Sequence, residues 1–300
     1  MAATTTITVP HLGGIDVGYR LSNNNTYDPA KPTVVLINSM CMTVALYEPQ
    51  FNDETLTNAA NLLAIEPLGH GATHCHVAEH FTYWDTAIMA LQVMDKLGIE
   101  KAFTLGTSQG GWIVMRMALL APERILGVLP LGTSMDYESS DSRTKGCWDP
   151  VTLLTPFLEK WSSATPTPDF VVDDVWCGMV GGIGFGKGAT EETVGFWKDV
   201  LKEVYKGDEG RKKVRMALMC LLTRDGLVLR LGDVQCPVYW LQGTEDTPFQ
   251  TTVASEQISK FTRSKEAKLV LVQEGAHYLN ATNPREVNAA VLEMVQKYGA

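Results

Sequence analysis

The stretch that most restricts what this chain can fold into is Gly106-Thr107-Ser108-Gln109-Gly110, because a buried strand leads into it and a helix leads out. Lys101-Ala102-Phe103-Thr104-Leu105 is short, apolar and β-prone, while Trp112, Val114, Met115, Ala118 and Leu119 recur at helical spacing until Pro122. Ser108 therefore sits at a bend that converts strand directly into helix. So sharp a bend strains its central residue and leaves no room for side chains two residues to either side, which accounts for the flanking glycines. The serine hydroxyl is pushed up above the helix N-terminus. There the helix dipole and the free N–H of Gln109 can stabilise a developing oxyanion. The plainer alternative is a small turn residue in a structural bend, but strain of this kind is seldom kept without use.

Strands and helices alternate around this bend. Residues 6–21 alternate loosely about Gly13-Gly14 and suit a hairpin. Thr33-Val34-Val35-Leu36-Ile37 and Asn61–Ile65 read as fully apolar strands, with a helix expected from Leu46 to Thr57 between them. A second helix is expected from Phe81 to Leu97, ended by Gly98, and a further strand over Ile125–Leu131. From about Ser134 to Val234 tryptophans, glycines and helical stretches replace the strand signal. The alternation then resumes with Pro237–Leu241, a helix near Val253–Phe261, the strand Ala267–Val272 and a closing helix Pro284–Tyr298. Strands apolar throughout imply a parallel sheet covered on both faces. The reading is thus an α/β chain: core over 1–134, helical lid over 135–233, core again over 234–300.

Composition narrows the class. With 300 residues, 45% hydrophobic and 20% charged, the chain reads as an ordinary globular protein able to bury a large core. A net charge of −9 argues against a nucleic-acid partner, which would need a concentrated basic face. No apolar run approaches the roughly 20 residues of a membrane span, and the N-terminus has neither a basic nor a long apolar leader region. A cytoplasmic location is expected. The six cysteines lack CxxC spacing and read as reduced thiols. Cys41 lies close to the proposed site, and packing beside Met40 and Met42 is preferred there over reactivity.

A serine hydroxyl is a poor nucleophile at neutral pH and needs a base, itself held by a third group. Gln242-Gly243-Thr244-Glu245-Asp246-Thr247-Pro248 follows the Val238–Leu241 strand, and Glu274-Gly275-Ala276-His277 follows the strand ending at Val272. Parallel strands present their C-terminal ends along one edge, so Ser108, Asp246 and His277 should converge there. His277 would take the Ser108 proton while Asp246 orients the ring and balances its charge. Glu245 and, more remotely, Asp136 are alternative acids, and a surface role for His277 stays open.

In this order of nucleophile, acid and histidine the chain resembles the α/β-hydrolase superfamily, over nearly all of its length outside the lid. GTSQG matches the elbow, GTED before proline the acid turn, GAH before Asn283-Pro284 the histidine loop, and EPLGHGAT the turn after the fourth strand. The resemblance implies a mostly parallel eight-stranded sheet with helices on both faces, and an oxyanion hole formed by the backbone N–H groups of Gln109 and Met40. The His-Gly pair usual before the second donor is Asn38-Ser39 here, which leaves that loop without its glycine. TRDGL, LGDVQCPVYWLQGTED and the aromatic lid also look like a branch of hydrolases met in fungal secondary-metabolite and toxin clusters.

The implied function is a serine hydrolase acting through an acyl-enzyme on an ester, lactone or thioester of a hydrophobic metabolite, with no cofactor. Trp112, Asn38 and the lid aromatics Trp176 and Phe185 are the expected substrate contacts, although such rings could equally hold lid helices to the core. The same motifs serve acyl transfer, carbon–carbon cleavage, cyclisation or elimination, and a binding protein with a vestigial pocket would also retain them. A homodimer is compatible with the sequence. His70, His74, Cys75, His76 and His80 are too irregularly spaced for a familiar zinc set, so no metal is expected. The glycine run Gly181–Gly188 lacks the Ser or Thr of a phosphate loop. Lys202, Lys206, Arg211, Lys212, Lys213 and Arg215 read as a solvated basic face.

Overall fold

The computed structural model describes residues 4–299. Met1–Ala3, where the segment read for an export signal begins, and Ala300, the last residue of the second core segment, lie outside the described residues. Strands β1 (Thr5–Val9) and β2 (Ile15–Leu21) form the expected hairpin, with Val9 opposite Ile15. They are followed by β3 (Thr33–Ile37), β4 (Asn61–Ile65), β5 (His74–Cys75), β6 (Ala102–Thr107), β7 (Ile125–Leu131), β8 (Val238–Gly243) and β9 (Ala267–Val272). The spatial order is β1-β2-β4-β3-β6-β7-β8-β9. β1, β2 and β4 pair antiparallel, and every pairing from β4 to β9 along that path is parallel.

Among the described residues the sheet has nine strands, where eight were expected. The extra strand, β5, lies off the main path and pairs with Ile15 and Asp16 of β2. Nothing in the histidine-rich sequence signals it. Thr73 creates it: its hydroxyl donates to the Glu66 carbonyl at 2.6 Å and accepts the Gly18 N–H at 3.0 Å, which lays the next two residues alongside β2.

The helices follow their sequence signals, with one break. In place of one helix from Leu46 to Thr57, two short helical turns (Val44–Tyr47, Glu48–Phe51) precede helix α1 (Glu54–Ala59). Asp53 accepts the Leu56 N–H at 3.0 Å, and this N-cap starts a new helix where continuation was expected. Helix α2 (Tyr83–Lys96) opens on a capping box made by Thr82 and Asp85, and Gly98 follows its end at φ 70°. Helix α3 (Gln109–Leu120) leaves the elbow. Between β7 and β8 come α4 (Pro150–Trp161), α5 (Asp174–Phe185), α6 (Glu191–Val204) and α7 (Gly207–Leu222). Helices α8 (Thr251–Gln257) and α9 (Pro284–Tyr298) complete the chain. Among the described residues no helix is long and apolar enough to cross a membrane.

The all-apolar strands are explained by burial on both faces. Val35 and Ile37 of β3 pack with α2 and α3, while Val34 and Leu36 pack with Leu56 of α1 and with Val287, Val291 and Met294 of α9. A third cluster joins Met40, Cys41 and Leu46, from the loop after β3, to Leu154, Trp161, Trp176 and Phe185 of the inserted helices. Polar contacts tie that insertion to the core. The Tyr205 hydroxyl donates to the Gly69 carbonyl at 3.1 Å and Lys213 Nζ to the Gly71 carbonyl at 2.6 Å. Arg224, just beyond α7, is buried against Glu138. Arg211 departs from the solvated face expected of it. It turns inward to donate to the Trp161 carbonyl at 2.7 Å and to the Thr167 hydroxyl at 2.6 Å.

Because Glu138 and Arg224 are both withdrawn from water, Glu138→Gln leaves a buried cation without its counter-charge and should destabilise the fold by about 3–5 kcal/mol. Glu79→Gln, which removes a solvent-exposed partner of Lys212, should leave the urea midpoint unchanged. Equilibrium urea denaturation of the two variants checks the contrast.

Candidate active site

The bend from β6 into α3 places Ser108 at φ 54°, ψ −119°, a strained conformation for a residue with a side chain. Its glycines are demanded by contact. A Cβ on Gly106 would lie 2.1 Å from the Gly110 carbonyl oxygen, and one on Gly110 would lie 2.0 Å from the Ile37 carbonyl oxygen. The first turn of α3 thus rests on the backbone of β6 and β3, holding Ser108 over the strand ends.

The loops after β8 and β9 bring the proposed acid and base together. Asp246 Oδ2 lies 3.0 Å from His277 Nδ1, and the same oxygen accepts Gln242 Nε2 at 2.9 Å. Oδ1 accepts the Phe249 N–H at 2.9 Å. A carboxylate only accepts, so His277 carries its proton on Nδ1 and keeps Nε2 as the free base. Glu245 points elsewhere, to Lys187 at 2.7 Å, and Asp136 accepts the Ser139 hydroxyl at 2.6 Å. Of the three candidate acids, Asp246 holds the histidine. Gly132, directly after β7, was not among the expected site residues. At φ 51° it leaves room for the pair, since a Cβ there would fall 2.8 Å from Asp246 Oδ2. A glycine directly after a buried strand was its one sequence signal.

Ser108 and His277 open on one small cavity, with about 40 Å³ of room for the centres of water-sized molecules. That is space for a few waters. Met40 lines it, and so do Trp148, Leu154, Met179, Ile183 and Tyr278. Gln109 is the first residue of α3, so its N–H has no partner within the helix. Among the described residues neither that N–H nor the Met40 N–H is given to a protein acceptor. In the loop after β3 the missing glycine is compensated in two ways. Cys41 adopts φ 65°, and Asn38 Nδ2 donates to the carbonyls of Ser39 at 3.1 Å and Met42 at 2.6 Å. Burial pushes the Cys41 thiol up to about 12, consistent with a packing role.

Four expected substrate contacts do not line this cavity. Trp176 is turned into the insertion, with ring centroids 4.8 Å from Trp161 and 5.0 Å from Phe157. Phe185 packs on Tyr278 at 5.2 Å. Trp112 is held between Phe249 at 5.3 Å and the Arg224 guanidinium at 4.6 Å. Asn38 is buried and spends its amide on its own loop. These side chains support the walls, since large flat rings gain most from full burial. Trp148 lines the cavity, and its backbone N–H donates to the Pro248 carbonyl, at 2.9 Å, in the acid loop. Met179 and Ile183 stand four residues apart on α5, a spacing legible in the sequence but overshadowed there by the aromatics.

The histidine-rich segment divides: the rings of His74 and His76 meet edge-on with centroids 4.9 Å apart, while His70 turns toward the elbow. His76 Nε2 bonds Asp16 Oδ2 at 2.8 Å, and His74 lies in β5. His70 is buried beside the elbow, where Gln109 Nε2 donates to its Nε2 at 2.9 Å and its own Nδ1–H is given to the Leu68 carbonyl at 2.8 Å. Burial pulls its pKa down to about 4, so it is neutral at pH 7.

If Asp246 orients His277, Asp246→Asn should lower kcat by about 10⁴ by reversing the hydrogen bond that sets the tautomer. Glu245→Gln, facing Lys187, should change kcat by less than about tenfold. Steady-state kinetics on a chromogenic ester measures both.

A family model described as "alpha/beta hydrolase fold" matches residues 32–146. A relative from Stutzerimonas stutzeri named for carbamate hydrolysis is 26% identical over 104 residues, 35% of this chain. The match spans only 38% of that relative's own length. Among solved structures, an esterase from Thermogutta terrifontis is similar with a TM-score of 0.77 at 14% identity, covering 99% of this chain and 100% of that one. An enol-lactonase from Burkholderia xenovorans is similar with a TM-score of 0.76 at 17% identity, over 97% and 100%. Identities this low speak for architecture alone, and together with the strand order and the matched segment they show that this chain has the α/β-hydrolase fold.

Proposed function

We propose that the protein is a serine hydrolase that cleaves an ester, lactone or thioester through an acyl-enzyme on Ser108. One observation carries the reading: a strained serine at the elbow opens on the same cavity as a histidine whose other nitrogen is held by a buried carboxylate. Ser108 Oγ attacks the carbonyl carbon while His277 Nε2 takes its proton. The C=O electron pair moves onto oxygen, where the N–H groups of Met40 and Gln109 receive it. Collapse expels the alcohol or thiol, protonated by His277. Water, deprotonated by His277, then releases the acid and restores the serine.

The substrate class follows from the lining. No Asp, Glu, Lys or Arg is among the residues that line the cavity, so an uncharged apolar acyl group suits it. Residues 135–233 act in this reading as a lid, in which α4 and α5 place Leu154, Met179 and Ile183 over the serine. The similar esterase and lactonase folds are compatible with carbonyl chemistry of this kind. The resemblance of TRDGL and LGDVQCPVYWLQGTED to strings of hydrolases in fungal secondary-metabolite clusters extends the proposal to a biosynthetic metabolite as substrate.

Ser108→Ala should fold normally and lose turnover of p-nitrophenyl acetate by about 10⁴- to 10⁶-fold. Retained turnover would overturn the covalent route. Ile183→Ala or Met179→Ala should raise the kcat/KM ratio of hexanoate over acetate ester by about tenfold, since each opens room for added methylenes. Trp176→Ala should instead destabilise the fold by about 3–5 kcal/mol with little change in that ratio.

A further inference from the structure

An oxyanion site made of two backbone N–H groups works only if its two loops keep a fixed separation, and here one of those loops lacks the glycine that would let it pack by shape alone. A side-chain amide stands in its place. Gln109 Nε2 donates to His70 Nε2 at 2.9 Å and, with its other hydrogen, to the Asn38 carbonyl at 3.4 Å. The loops after β3, β4 and β6 therefore meet at one amide group. All three side chains are buried: Asn38 is 0% exposed, His70 1% and Gln109 2%.

We propose that His70, Asn38 and the Gln109 side chain form a brace that fixes the Met40 N–H against the Gln109 N–H, which makes His70 a positioning residue for the oxyanion site. The inference rests on the reading of Ser108 as nucleophile. His70 is fitted to the role because its Nδ1–H is committed to the Leu68 carbonyl, which leaves Nε2 as a fixed acceptor. Its loop is clamped from the far side by Tyr205 on the Gly69 carbonyl and Lys213 on the Gly71 carbonyl. Asn38 completes the brace, because its Nδ2 closes the turn that carries Met40 by bonding the Ser39 and Met42 carbonyls. Without the Nε2 acceptor a buried Gln109 N–H has no partner, so the amide must rotate and release the Asn38 carbonyl. A small shift of the two donors matters when negative charge sits on the substrate oxygen and hardly before, so the loss should fall on kcat and spare KM.

The test uses the full chain, p-nitrophenyl acetate and an aryl trifluoromethyl ketone. In the ketone adduct the Ser108 Oγ–C bond forms, the carbonyl electron pair becomes the oxyanion and the proton passes to His277, which mimics the tetrahedral state. His70→Phe keeps a ring and removes the acceptor, whereas His70→Gln returns an amide oxygen near the Nε2 position. His70→Phe should lower kcat about 10- to 100-fold with KM within about twofold, and weaken ketone inhibition by the same factor as kcat. His70→Gln should stay within about threefold of wild type in both. Gln109→Met keeps the backbone N–H and loses the amide, so it should match His70→Phe, and it decides the matter if His70→Phe does not fold. Wild-type kcat in His70→Phe or Gln109→Met, or an equal loss in His70→Gln, would overturn the brace while leaving Ser108 as nucleophile. Undiminished turnover in Ser108→Ala, or a wild-type protein indifferent to the ketone, would overturn both.

Discussion

A helix can rest its first turn on the backbone of two strands only where side chains are missing. At Gly106 and Gly110 the approach is so close that a single added carbon would lie about 2 Å from a carbonyl oxygen. That contact fixes the height of Ser108 above the sheet and bends its backbone to positive φ, and the first N–H of α3 has no partner within the helix. Much of the rest of the site is arranged to meet the point so defined. β8 and β9 deliver Asp246 and His277 to the same edge because all the strands from β4 onward run parallel. Gly132 is small because the pair lies against the end of β7.

Asp246 accepts hydrogen bonds from His277, Gln242 and the Phe249 backbone, so both of its carboxyl oxygens have protein partners. Such a carboxylate can hold an imidazole in one tautomer through a reaction cycle. The inserted helices contribute a different ingredient. They bring apolar side chains, chiefly Leu154, Met179 and Ile183, to the cavity wall, while their aromatic rings lock against one another and against Tyr278.

Much of this was legible in the sequence, for physical reasons. Five-residue runs apolar at four positions, such as Thr33–Ile37 and Asn61–Ile65, have one comfortable home, the middle of a covered parallel sheet, and the structure puts them there. The elbow was legible because strand, glycine-flanked serine and helix follow without a gap. His277 and Asp246 were legible as polar residues just past strand ends. What stayed hidden depends on contacts between distant segments. β5 exists through a Thr73 hydroxyl that reaches back to Gly18 and Glu66. The break before α1 comes from an aspartate cap that periodicity does not register. The pocket wall was misread because Trp112, Trp176 and Phe185 advertise apolar surface without saying which way they face. Burial took them inside, and the smaller Met179 and Ile183 were left to line the cavity.

A covalent bond between the substrate's acyl group and Ser108 is what sets a serine hydrolase apart from every other use of this cavity. The direct measurement is to mix the protein with excess p-nitrophenyl butyrate, quench in acid within the first turnovers and read the intact mass, followed by peptide mapping. If Ser108 is the nucleophile, the mass rises by one butyryl group, and the modification maps to the peptide containing Gly106–Gly110. Turnover of the ester with no acyl adduct on that peptide under any quench time, or with the adduct on another residue, would contradict it.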